Sequence, residues 1–277
     1  MLQSILFGLT TGGILYIIAI GLSLTFGAMG IVNFAHGLIY AIGAYILYTA
    51  LSQLGLSFIS GAILAVVVSI PISYIIEKFL IRKLYGQSID YAIIATYAVL
   101  LIGVDAIKWI YGPNPLPIGD PIGETIKFMS LQMPVYRLII IGVSFLIFIG
   151  LSLFFKKTMV GKIVVAGLQD KEAVRSLGIS VEKYFAMVFV LGSALAALGG
   201  VLYAPISTLD PYMGFHILIL CFAVVIVGGM GNLTGTAIAA YGLGMVMAIT
   251  GRMWGPAADA MVYVVMAVVL IFRPIDV

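Results

Sequence analysis

The chain has 277 residues, of which 63% are hydrophobic and 9% charged, and its mean hydropathy is +1.22. Soluble domains carry about 25% charged residues, so a soluble globule is excluded. The formal net charge of +3 is too small to mark a nucleic-acid partner.

The N-terminal Met1-Leu2-Gln3-Ser4 carries no basic residue ahead of the first apolar run, which therefore reads as a retained span and not a cleaved leader. About 20 mostly apolar residues are needed to cross about 30 Å of hydrocarbon. Such runs occur at 5–25, 34–53, 57–77, 91–111, 135–155, 183–203, 216–229, 234–250 and 258–272. No period-two alternation accompanies them, so a β-barrel is not expected, and backbone groups in lipid must pair internally, which makes the runs helices. The runs 216–229 and 258–272 are short for a full crossing. The expected fold is an all-α integral membrane protein, a polytopic bundle of eight or nine transmembrane helices, with 1–277 forming one transmembrane domain.

Two places interrupt the apolar pattern with small and polar residues. The first, near 27–37, reads Gly27-Ala28-Met29-Gly30-Ile31-Val32-Asn33-Phe34-Ala35-His36-Gly37. The second, near 228–235, reads Gly228-Gly229-Met230-Gly231-Asn232-Leu233-Thr234-Gly235. Both contain Gly-x-Met-Gly and both lead into a small-residue-rich run, a weak internal repeat. Paired glycine interruptions in two halves of a transporter point to its substrate pathway; a tight turn or helix kink is the plainer alternative. The pathway reading selects Gly30, Asn33, His36, Gly37, Tyr40, Gly229 and Gly231. Asn33 and His36 are three apart and share a face if that stretch is helical; there they either line a pathway or hydrogen-bond between helices. No His, Cys, Asp or Glu stands at metal-ligand spacing with His36, so no metal and no cofactor is expected.

Further along, Asp105 and Lys108 form a second pair at that spacing near the outer end of the fourth run. They either neutralise each other, with Lys108 reaching to the interface, or form a proton or ion site. Trp109 and Tyr111 beside them fit an interfacial belt. Residues 112–134 hold Pro113, Pro115, Pro117, Pro121 and Pro134. That density forbids helix and predicts an extracytoplasmic loop with a short hairpin over 124–132.

The stretch 156–183 holds Lys156, Lys157, Lys162, Asp170, Lys171, Glu172, Arg175, Glu182 and Lys183, nine of the chain's 25 charged residues (14 Lys and Arg, 11 Asp and Glu). Charges at this density belong in water. With Lys78, Arg82 and Lys83 before it and Arg273 after the last run, all the basic clusters fall on one side if nine runs alternate and the N-terminus is outside. The positive-inside rule makes that side cytoplasmic, with the chain in the cell (inner) membrane. Within the stretch a short helix over about Asp170–Leu177 is predicted. Asp170 supplies the N-cap, and Gly178 closes the helix after the C-cap. Gly192-Ser193-Ala194 and Gly199-Gly200 then allow close helix packing. Cys221, alone in an apolar run, reads as a buried packing residue.

The absences narrow the function. No Gly-x-x-x-x-Gly-Lys-Ser/Thr occurs, so the chain does not hydrolyse ATP itself. Neither His-Glu-x-x-His nor Gly-x-Ser-x-Gly is present, which leaves an intramembrane enzyme without catalytic residues.

Several segments, in order, resemble one family. Gly30 to Gly37 leading into Ile42-Gly43-Ala44-Tyr45 is similar to the first signature of the branched-chain amino-acid ABC transporter permeases. Trp109, Gly112 and Pro113 resemble the end of that family's fourth span. Gly161-Lys162, Asp170, Glu172-Ala173 and Ser176-Leu177-Gly178-Ile179 resemble its cytoplasmic coupling segment. Gly228 to Gly231 and Gly235 resemble its late signature. The resemblance runs nearly end to end and is strongest to the first of the family's two paired permease types. It implies a sister permease forming a heterodimer, two cytoplasmic ATPase subunits, and an extracytoplasmic solute-binding protein. It also implies that Asp170, Glu172, Ala173, Arg175, Ser176 and Gly178 couple to the ATPase. Many relatives carry an acidic residue directly after the His-Gly of the first signature, where this chain has Leu38. The rival reading is an ion-coupled secondary transporter or channel using Asp105, Lys108 and His36 without an ATPase.

Overall fold

The computed structural model describes residues 2–128 and 131–272, so Arg273 lies outside the described residues. Eleven α-helices follow in order: α1 (Leu2–Met29), α2 (Ala35–Ser52), α3 (Phe58–Phe79), α4 (Ile89–Tyr111), α5 (Val135–Lys157), α6 (Met159–Gln169), α7 (Lys171–Ser176), α8 (Val181–Tyr203), α9 (Met213–Gly228), α10 (Leu233–Met253) and α11 (Ala258–Phe272). Eight helical stretches among the described residues are long and apolar enough to cross a membrane. The 16-residue α9 is the short run 216–229, extended to start at Met213. The chain is an all-α polytopic membrane bundle.

Between α4 and α5 a hairpin pairs β1 (Thr125–Phe128) with β2 (Leu131–Pro134), antiparallel, Thr125 opposite Pro134. It runs two residues past the predicted 124–132 because Pro134 ends the second strand and starts α5. The proline loop is fastened to the α8–α9 connection by paired backbone bonds between Leu116 and Leu209, at 2.9 and 2.8 Å.

The centre of the bundle is α1, which packs along α10 and α8 and also meets α5 and α9. Its residues Tyr16 to Ile20 are wholly buried. Small residues make this density possible. A Cβ on Gly37 of α2 would collide with the Gly214 carbonyl of α9, and one on Gly214 would collide with the Gly37 carbonyl. In hydrocarbon, where apolar surface alone does not drive association, such backbone-to-backbone approach supplies the packing. The outward faces of α3, α4 and α5 carry exposed Ile, Leu and Phe, among them Ile59, Ile102 and Leu146, as a lipid-facing surface requires.

Two ends of the bundle are distinct. Tyr85 and Gly86, after α3, line a common cavity with Lys171, Arg175 and Glu182. The basic segments 78–88 and 156–183 therefore share one end, and the proline loop lies at the other.

Candidate functional site

The first interruption is shorter than its sequence implies. α1 stays helical through Met29, and only residues 30–34 leave the helix before α2 begins. Gly30 takes φ +68°, a left-handed conformation that other residues adopt only at a steric cost. The segment then runs up beside α4, where Thr96 holds it: its hydroxyl accepts from the Phe34 N–H at 3.1 Å and lies 3.2 Å from the Val32 carbonyl. Asn33 thus sits in a non-helical segment, so the condition for a shared helical face with His36 is not met. The physical reason is that Thr96 supplies the pairing that helix continuation would otherwise give.

Asn33 and His36 are both fully buried. His36 Nε2 lies 2.9 Å from the Ile18 carbonyl in the middle of α1. Its Nδ1 and both amide atoms of Asn33 have no partner. Buried polar atoms without partners are rare, each costing about 1–3 kcal/mol, and call for an explanation. Leu38 packs its side chain against Gly103 of α4, where a Cβ would collide with it.

The second interruption is confined to residues 229–232, with Gly229 at φ +87° and Gly231 at φ +75°. It is pinned to α1. Gly231 N–H donates to Ser23 Oγ at 3.0 Å, the Thr236 hydroxyl donates to the same oxygen at 3.1 Å, and the Gly231 backbone lies against Gly27. Both interruptions therefore converge on the last turns of α1, at the basic end. Thr96 and Ser23, which do the holding, give no signal in sequence beyond a small hydroxyl inside an apolar run.

Tyr40 lies one turn beyond His36 on α2. It lines a cavity of about 460 Å³ at the proline-loop end. Ser207, Asp210, Tyr212 and His216 form its polar side, with Asp259 from α11; Met213, Ile217 and Met247 form its apolar side. Asp210 accepts from the Tyr212 N–H at 2.8 Å. Lys108 Nζ donates to the Tyr212 hydroxyl at 2.6 Å and to Asp105 at 3.1 Å. The Asp105 side chain is 77% exposed, so the structure does not bring Asp105 together with buried His36.

At the basic end, α7 is built as its sequence predicts. Asp170 Oδ1 accepts from the Ala173 N–H at 2.9 Å, and Gly178 follows the C-cap with φ +76°. Glu172, Ala173 and Ser176 are exposed, whereas Val174 is buried against the bundle. Arg175 pairs with Glu172 at 2.7 Å and with Glu182 on α8; the Glu182 contact contributes most to holding its guanidinium charged. Nearby, Glu77 at the end of α3 is fully buried and takes both Nε and Nη2 of Arg82, at 3.1 and 2.8 Å, with the Tyr85 hydroxyl at 3.2 Å. Burial, then the Glu77 charge, pushes the Tyr85 phenol above its ordinary pKa.

A model of the branched-chain amino acid transport system permease component matches residues 4–273. The chain belongs to the branched-chain amino acid transport permease family. This permease is 31% identical, over 99% of its length and 94% of the relative's, to the high-affinity branched-chain amino acid transport system permease protein BraD of Pseudomonas aeruginosa. It is 30% identical to the probable branched-chain amino acid transport permease protein LivH of Methanocaldococcus jannaschii, over 84% and 75% of the two chains. Among solved structures, PsaBC from Streptococcus pneumoniae in complex with Fab aligns with a TM-score of 0.51 at 16% identity, covering 96% of this chain and 89% of that one. That last likeness concerns the fold alone. As a member of this family, the permease is a transport component and not itself an enzyme.

Proposed function

We propose that this chain is one of two paired permeases of an ATP-driven importer in the cell (inner) membrane, moving branched-chain or related amino acids. Its basic loops face the cytoplasm, where two separate ATPase subunits bind, one of them at the exposed face of α7. An extracytoplasmic binding protein delivers the solute to the proline-loop end. The observation that carries the substrate reading is the cavity beside Tyr40. A branched-chain amino acid presents an ammonium, a carboxylate and a small apolar side chain. The cavity offers the Asp210 and Asp259 carboxylates, the Tyr212 hydroxyl hydrogen-bonded by the Lys108 ammonium, and an apolar wall of Met213, Ile217 and Met247. Mixed lining of this kind, mostly apolar with a few polar groups, is what orients a small ligand. From there the route leads past Tyr40 to the buried His36 and Asn33, whose unpartnered atoms are poised for a passing polar solute.

The test is reconstitution. The purified complex in liposomes should take up leucine only with ATP, the ATPase subunits and the soluble receptor present. Uptake driven by an ion gradient, with the ATPase omitted, would instead establish the secondary-transporter reading. Asp210→Asn should lower uptake without lowering receptor docking, which separates the cavity's role from delivery.

A further inference from the structure

The basic end holds a second cavity, of about 690 Å³, which the solute route does not use. It arises from the way α6 folds back. Thr158 caps α6 by accepting from the Gly161 N–H at 3.0 Å, and Gly161 lies so close to the backbone of Phe154 and Phe155 that a Cβ there would meet it at 2.5 Å. This pins the start of α6 to the end of α5 and leaves a wedge between that corner and α1 and α10. The walls are apolar, with Leu24, Phe148, Ala166 and Leu233 among them, and Lys156 and Lys162 flank them. Neither lysine takes part in an ion pair among the described residues.

We propose that this wedge binds one anionic phospholipid, its phosphate on Lys156 and Lys162 and an acyl chain along Leu24, Phe148 and Leu233. Two unpaired ammonium groups over an apolar slot, at the end of a membrane-spanning helix, match an amphiphile with an anionic head and a hydrocarbon tail. A soluble anion would gain nothing from the apolar walls, and a zwitterionic lipid gains less from the two charges. The site has a mechanical consequence. α6 runs directly into Asp170 and α7, so a lipid seated against it braces the corner through which α7 is joined to α5.

The test is native mass spectrometry of the full chain released from detergent, with phosphatidylglycerol and phosphatidylcholine offered together. The wild type should retain one phosphatidylglycerol about thirtyfold in preference to phosphatidylcholine, from about 1 kcal/mol for each of the two lysines. K156Q/K162Q should lose the preference and K156R/K162R should keep it. A166W, which fills the slot and leaves the lysines in place, should lose the lipid; K78Q/K83Q should not. Size-exclusion profiles identify any variant that fails to fold, and the arginine and Lys78/Lys83 variants then carry the comparison. Equal retention of both lipids by the wild type overturns the proposal. So does wild-type retention by A166W, which would put the lipid on open basic surface. A lipid lost when the chain is purified with its partner subunits would give the wedge to a partner, and that also overturns it.

Discussion

Arg175 of α7 is bonded to Glu182 in the first turn of α8. A six-residue helix cannot hold itself together in water, and α7 is instead clamped to a membrane-spanning helix by that pair, by buried Val174, and by Lys171 lying 5.4 Å from the Phe185 ring. Any push on α7 is thereby delivered to α8, which packs on α1, α2 and α3.

Arg175→Glu should therefore suppress solute-stimulated ATP hydrolysis in the reconstituted complex while membrane insertion and thermal stability stay near wild type, because an exposed pair contributes little to folding. Adding Glu182→Arg restores the attraction in reverse and should recover much of the stimulation. An Arg175→Glu protein that couples normally would show that neither the clamp nor the exposed face of α7 transmits force.

Asn33 is buried with both amide atoms unpartnered, so it weakens the fold while standing on the proposed route. Asn33→Leu should raise stability by about 1–3 kcal/mol, the penalty for an unpaired buried polar group, and at the same time abolish uptake. His36→Leu should also impair uptake with the complex still assembled. A destabilised Asn33→Leu protein would show that the amide has a partner within the folded chain.

Thr96→Val is nearly isosteric and removes the hydroxyl that accepts from the Phe34 N–H. The loss leaves a backbone donor unpaired in the bundle, so unfolding should become easier by about 1–3 kcal/mol, and hydrogen exchange at Phe34 should accelerate. Unchanged protection at Phe34 would mean that residues 30–34 are held by packing alone.

Topology is open to direct labelling. In a Cys221→Ala background, a cysteine placed at exposed Asp120 should react with an impermeant reagent added outside intact cells, and one placed at exposed Ser176 should not. Ser130, in the same loop by sequence, lies outside the described residues. The opposite labelling pattern would reverse the orientation.

The amino-acid sequence by itself determined what depends on local physics. Hydrocarbon tolerates only long apolar helices, so the spans can be read directly. Dense charge and clustered proline belong outside it, so the loops at both ends can be read too. Asp170 and Gly178 act within one turn of their own positions, so both ends of α7 were legible. Longer-range pairing was not. The two glycine interruptions share a spelling, but only the fold brings Gly231 onto Gly27 and Ser23 more than two hundred residues away. Arg82 looked like one more topology-setting charge, and its partner Glu77 like the end of an apolar run, until the fold buried the carboxylate beside Tyr85. Thr96, Asp210 and Asp259 had no neighbours in sequence to give them meaning. Their roles come from segments that approach only when α1 is surrounded, because in a bundle the polar groups that matter pair across helices and leave no periodic trace along any one of them.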